Sequence, residues 1–129
     1  MSAVRRLGDG YEPHVDEIEG RLTYSLPVDS SFVSVGFSFE ILPGDLEILL
    51  ADPYRRAALE VIAHTILQRS MIRGNEPVTQ EAFGELVSQV LHGEAEELEL
   101  FIDTIDRDHN IVIRIYVAQV LVRRSAGSA

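Results

Sequence analysis

The sequence predicts an α+β fold: a four-stranded antiparallel sheet from two β-hairpins, with two helices packed on one face. Three observations carry this reading. Apolar residues alternate with period two between positions 21 and 41, capped helical stripes fill 52 to 92, and a second alternating segment covers 97 to 122. The expected order is β-β-(α)-α-α-β-β, in a single domain of 129 residues.

Residues 1–16 carry Gly8, Gly10 and Pro13 with little periodicity, and are expected to form a flexible or loosely docked arm. Leu22, Tyr24, Leu26 and Val28 then alternate with polar neighbours, as do Val33, Val35, Phe37, Phe39 and Ile41. Asp29-Ser30-Ser31 reads as the turn between them. A two-residue loop at Asp29 and Ser30 sets Leu26 opposite Val33. Sliding the pair by two residues keeps the same faces, so the register stays open.

Pro43-Gly44-Asp45 stops the second strand, and Asp45 can cap a short helix through Ala51. Asp52-Pro53 is a stronger start signal, for a helix running to about Arg73 with Gly74 as its stop. Its polar residues Arg56, Glu60, His64 and Gln68 recur every fourth position, and nearly everything else is apolar or small. A helix apolar over so much of its circumference is buried at the centre of a fold or under a partner. A further amphipathic helix runs from about Gln80 to His92, capped by Thr79 and ended by Gly93.

In the last third, Leu98, Leu100 and Ile102 alternate with Glu97, Glu99, Phe101 and Asp103. Arg107-Asp108-His109-Asn110 reads as a turn, and Ile111 to Val122 as the returning strand. That register sets Asp103 opposite Arg114 and Phe101 opposite Tyr116. The near-continuous apolar run of the returning strand points to a central position or burial in an oligomer.

Composition removes whole classes of chemistry. With no cysteine, disulfides, thiolate metal sites and cysteine nucleophiles are excluded. All eleven basic residues are Arg, so a Schiff-base or phosphate-loop lysine is excluded too. The net charge of −10 disfavours nucleic acid and anionic membranes, and favours a basic protein partner. No secretory or membrane-spanning segment is read, so the expected location is cytoplasmic. No nucleophile elbow, dinucleotide loop or metal-spaced histidine pair is present, and no cofactor or metal is expected. The residues 106–110 resemble the opening of a calcium loop but lack its glycine and closing glutamate.

Two constellations remain. Glu60 and His64, one helical turn apart, have the spacing of a base and its orienter, with Arg56 for a substrate anion. A plain solvated helix stripe is the preferred reading of them, since i,i+4 pairs are common and individually weak. Glu97, Glu99, Phe101 and Asp103 would share one strand face, with Tyr116 beside Phe101. That makes an acidic surface with aromatic anchors, suited to a basic protein. The function expected is a non-catalytic acidic protein-binding domain, in its sharpest form an immunity protein or antitoxin that neutralises a basic toxin. The alternatives are a dimeric secretion chaperone, and a ligand-binding or enzymatic domain with a pocket built from Tyr24, Tyr54, His64 and Arg69. A homodimer is compatible with each.

Overall fold

The computed structural model describes residues 3–9, 12–30 and 33–127, the side chains at 30, 33 and 127 excepted. The chain is an α+β fold, with all four strands at the N-terminal end and the helices following. The strands are β1 (Val4–Leu7), β2 (His14–Ile18), β3 (Arg21–Ser30) and β4 (Val33–Ile41). They form one antiparallel sheet in the order β1-β2-β3-β4. The helices are α1 (Pro43–Ala51), α2 (Pro53–Ser70), α3 (Gln80–Val87), α4 (Ala95–His109) and α5 (Ile113–Gly127). A π-helical segment, Ser88–His92, extends α3.

Residues 1–16, read as a loose arm, instead supply two strands among their described positions. Arg5 lies opposite Asp16 and bonds it at 2.6 Å, and Arg6 meets Glu17 at 3.2 Å. Gly8 makes the turn possible. Its φ is +87°, and a Cβ there would stand 2.4 Å from the Pro13 carbonyl oxygen. Ion pairs and a strained turn leave no apolar periodicity, which is why the pattern was invisible.

The β3–β4 hairpin keeps the expected faces but in a shifted register. Leu26 pairs with Phe37, Tyr24 with Phe39 and Leu22 with Ile41. Asp29 and Ser30, expected in the turn, instead end β3 opposite Ser34 and Val33, and residues 31 and 32 lie outside the described residues. Pro27 lies opposite Gly36, beyond the last β2 partner of β3, His14↔Ser25. A proline is tolerated there because the N–H it lacks would have faced the side where β2 has ended.

One face of the sheet is covered by helices. Leu22, Tyr24, Leu26, Val28, Phe39 and Ile41 are buried beneath them. Phe83 of α3 stacks on Phe39 with ring centroids 4.2 Å apart, and its ring lies 5.8 Å from Tyr24. The central helix is α2, as its apolar circumference requires: Ala57, Ala58, Leu59, Ile62 and Ala63 are fully buried. Its start is capped as read, the Asp52 carboxylate accepting from the Arg55 N–H at 3.1 Å. Helix α1 begins at Pro43, and Asp45 acts in its first turn, accepting the Leu42 N–H at 2.8 Å. Thr79 caps α3 through the Ala82 N–H at 3.0 Å.

The expected second hairpin does not exist; residues 95–127 are two helices. The buried residues are Leu98, Ile102 and Ile105, then Ile113, Val117 and Val120, spaced four and three apart. Leu100, the middle of the supposed alternating face, is 66% exposed. Asn110 turns left-handed (φ +51°) to end α4, so the Asp-His-Asn run terminates a helix where a hairpin turn was expected. The Asp106 carboxylate accepts the Ile113 N–H at 2.7 Å and so starts α5. Among the described residues there are therefore five α-helices: the short one and the two packed ones expected, with α4 and α5 in place of the second hairpin. Of these, α2 and α3 lie directly on the sheet, while α1, α4 and α5 pack around α2. No helix among the described residues is long and apolar enough to cross a membrane.

Candidate functional site

An open groove of about 1400 Å³ lies between the β3–β4 hairpin, α2 and the α4–α5 corner. Its floor is the polar stripe of α2, with Glu60, His64, Gln68 and Arg69. One wall is Pro27, Asp29 and Ser34 from the hairpin, and the other is Asp108 to Ile111 with Tyr116, Gln119 and Arg123 of α5. The Gln68 amide donates to the Asp29 carbonyl at 2.8 Å, and Arg69 to the Asp108 carbonyl at 3.0 Å, so α2 braces both walls.

At one end of the groove the stripe is locked into a charge cluster. The carboxylate of Glu60, with its side chain only 12% exposed, bonds Arg124 and lies 3.6 Å from Arg123. Arg124 also donates to Glu12 at 3.3 Å, and Glu12 stands 3.9 Å from Arg56. Burial would raise the Glu12 pKa, but the Asp9 backbone N–H and the Arg124 and Arg56 charges hold it below the ordinary carboxylate value. Partial burial and the neighbouring Arg124 charge lower the Arg56 pKa. The Tyr24 phenol, buried beside these charges, is pushed well above its usual value, mainly by desolvation. Arg124 is thus held by both Glu60 and Glu12, and Glu12 in turn by Arg56. The half-buried His64 ring lines the groove, with no hydrogen bond or ion pair to another described residue.

The acidic and aromatic residues expected to share one face do not. On a helix, Glu97 and Phe101 lie on one side of α4, Glu99 and Asp103 on another. Arg114 of α5 donates to Glu99 at 3.1 Å and to Asp103 at 2.9 Å, offsetting one of their two charges. The expected Asp103–Arg114 pairing is therefore met across two helices instead of two strands. These carboxylates, the Asp103 bond first, hold the Arg114 pKa above its usual value. Glu99 also accepts the Tyr54 hydroxyl at 2.8 Å. Phe101 packs against the core, whereas Tyr116 stands in the groove wall on the far side of α5. Glu97 is exposed.

Strand-based reasoning missed what α5 exposes. Ile115 and Val122 are 55% and 69% exposed, Ala118 lies between them, and Tyr116 is 48% exposed beside this stripe. Positions 115, 118 and 122 form one helical line, so a 3.6-residue period from 113 to 122 was the available signal. Of the proposed pocket set, Tyr24 is buried in the core and Tyr54 joins Glu99, leaving His64 and Arg69 in the groove. Elsewhere, His92 meets the buried Asp45 at 2.7 Å, and His109 sits 3.5 Å from Arg69. Among the described residues, no group of three or more His, Asp or Glu is placed to hold a metal ion. Comparison with protein families, with curated proteins and with solved structures finds no significant match to this chain.

Proposed function

We propose that the chain is an acidic protein-binding domain that docks a basic partner against α5 and the adjoining groove. An immunity protein or antitoxin that covers a toxin by direct binding works in this way. The observation that carries the reading is α5 itself. It is apolar around most of its circumference, α2 and α4 cover one side, and Ile115, Val122 and Tyr116 are left at the surface beside a groove. An aromatic and two aliphatic anchors inside a rim of Asp108, Gln119 and Arg123 match the anatomy of a protein contact. The charge of −10 accelerates encounter with a basic protein. Glu60, the base of the enzymatic reading, is occupied by Arg123 and Arg124, which favours binding over catalysis.

The test is affinity capture from the source's lysate, eluted with a salt gradient, comparing the native chain with Ile115→Glu/Val122→Glu. The expected result is a stoichiometric basic protein on the native chain, released by moderate salt and absent from the variant. Glu97→Lys should shift its release to lower salt, whereas Glu99 and Asp103 are poor probes because Arg114 holds them. Identical captured proteins on both chains would refute the docking face. A second reading, a small-ligand groove, is favoured by the His64 ring, which lines the groove without a hydrogen bond to another described residue. A ligand screen by NMR whose hits are lost in His64→Ala tests it.

A further inference from the structure

The two edges of the sheet are built differently. The β1 edge is only four residues long, breaks register between Arg5 and Leu7, and carries two arginines. These are the devices by which natural edges avoid pairing with other chains. The β4 edge has none of them. It is nine residues long in unbroken register, and the run Val33 to Phe39 contains no charge and no proline.

The direction of its free groups follows from two contacts. The Gln80 side-chain amide accepts the Glu40 N–H and donates to the Glu40 carbonyl, both at 2.8 Å, standing where a fifth strand would stand. Glu40 therefore points away from β3. In a regular strand this direction recurs every second residue, so Ser38, Gly36 and Ser34 point outward as well. The partner of Gly36 across the hairpin is Pro27, which has no N–H, as a non-hydrogen-bonded pair allows. No backbone group among the described residues bonds these three positions from outside, and their side chains are exposed. The space above Gly36 is open.

We propose that this edge docks a second copy of the chain, the two β4 strands pairing antiparallel about Gly36 to join two sheets into one. The register is self-complementary. Gly36 meets Gly36, Ser34 meets Ser38, and Val35 meets Phe37 on the helix-facing side, where both are half-buried within one copy. Two copies each carrying −10 repel, which favours a contact where charge is absent, and this edge is such a place. The Gln80 clamp ends the pairing at Glu40. The interface is consequently short, and a dissociation constant on the order of 10 μM is expected for so small an area.

Sedimentation velocity between roughly 1 and 500 μM brackets that value. The native chain should pass from monomer to dimer. Ser34→Lys/Ser38→Lys changes only exposed side chains and should stay monomeric throughout, with an unchanged circular dichroism spectrum. Ile115→Glu/Val122→Glu should dimerise as the native chain does. Gly36→Cys adds the sole thiol to a cysteine-free chain. Across the two-fold axis the Cα atoms would be about 5.5 Å apart, within disulfide reach, so mild oxidation should link two copies. A native chain that stays monomeric overturns the proposal. So does a dimer that survives the lysine substitutions, a dimer that only the α5 variant dissolves, or a Gly36→Cys variant that does not cross-link.

Discussion

Replacing Glu60 by Gln keeps the shape of the side chain and its hydrogen-bonding oxygen but removes its charge from the cluster that joins α2, α5 and the β1–β2 connection. The size of the effect follows from burial. An exposed ion pair contributes about 0–1 kcal/mol, and stripping one partner from a fully buried pair costs about 3–5 kcal/mol. Side-chain exposures of 12% for Glu60 and 19% for Arg124 put this pair near the buried end. Glu12 remains 3.3 Å from Arg124 in the variant and offsets part of the loss. The expected cost is therefore about 2 kcal/mol, a fall in Tm of roughly 6–10 °C for a chain of this size. Urea unfolding and thermal melts followed by circular dichroism measure it. The same geometry requires non-additivity. Glu12→Gln alone should cost about 1 kcal/mol, but Glu12→Gln/Glu60→Gln more than the sum, because Arg124 then loses both carboxylates. A Glu60→Gln midpoint equal to the native one, or a strictly additive double variant, would refute this account of the cluster.

Three further outcomes are expected. Gly8→Ala forces a left-handed turn on a residue with a Cβ and drives that atom against the Pro13 carbonyl, so it should cost about 2 kcal/mol or more and speed amide exchange in β1 and β2. Unchanged exchange there would mean that the strands are not held by this turn. Phe83→Ala empties the space between Phe39 and Tyr24 and should cost about 3–5 kcal/mol in urea unfolding, against at most about 0.5 kcal/mol for the exposed Leu100→Ala. Partial burial first, then the charge of Arg69, lowers the His109 pKa from its ordinary 6.5. The unfolded chain then binds more protons, so this contribution is present above pH 6.5 and is lost as pH falls below it. His109→Gln should flatten the stability–pH curve between pH 6.5 and the lower folded value, and an unchanged slope there would contradict the sign.

The part of the fold from 21 to 92 was legible because each element there obeys one rule at a time. Strands alternate, caps precede helices, and α2 hides an apolar circumference at the centre of the fold. Residues 97–122 were misread because two rules coincide. Leu98, Leu100 and Ile102 alternate like a strand, yet Leu98, Ile102 and Ile105 also repeat like a helix, and Asp-His-Asn serves equally as hairpin turn or left-handed helix end. The Asp103–Arg114 contact held in the wrong framework because opposite charges near a chain reversal meet in either geometry. The expected shared face of the acidic residues went with the strands. Alternate residues share a face only in a strand, so Glu97 and Glu99 separated and Tyr116 moved to the groove. The Arg56–Glu60 stripe could be seen, but Glu12 lies 44 positions from its partner Arg56 and Arg124 lies 64 from Glu60, beyond the reach of any local pattern.

The contact between Glu12 and Arg124 spans 112 positions, whereas each strand of the sheet pairs only with its neighbours along the chain. On a ribosome these two kinds of contact become available at very different times. The four strands can pair as soon as residue 41 has emerged, and they then carry a naked apolar face of Tyr24, Leu26, Val28 and Phe39. Helix α2 can begin to cover it once residue 70 has emerged, Phe83 only about forty residues after the sheet, and the latch between Glu12 and Arg124 closes later still. During synthesis the protein is thus an open sheet awaiting its lid, and that interval is when it is most exposed to aggregation.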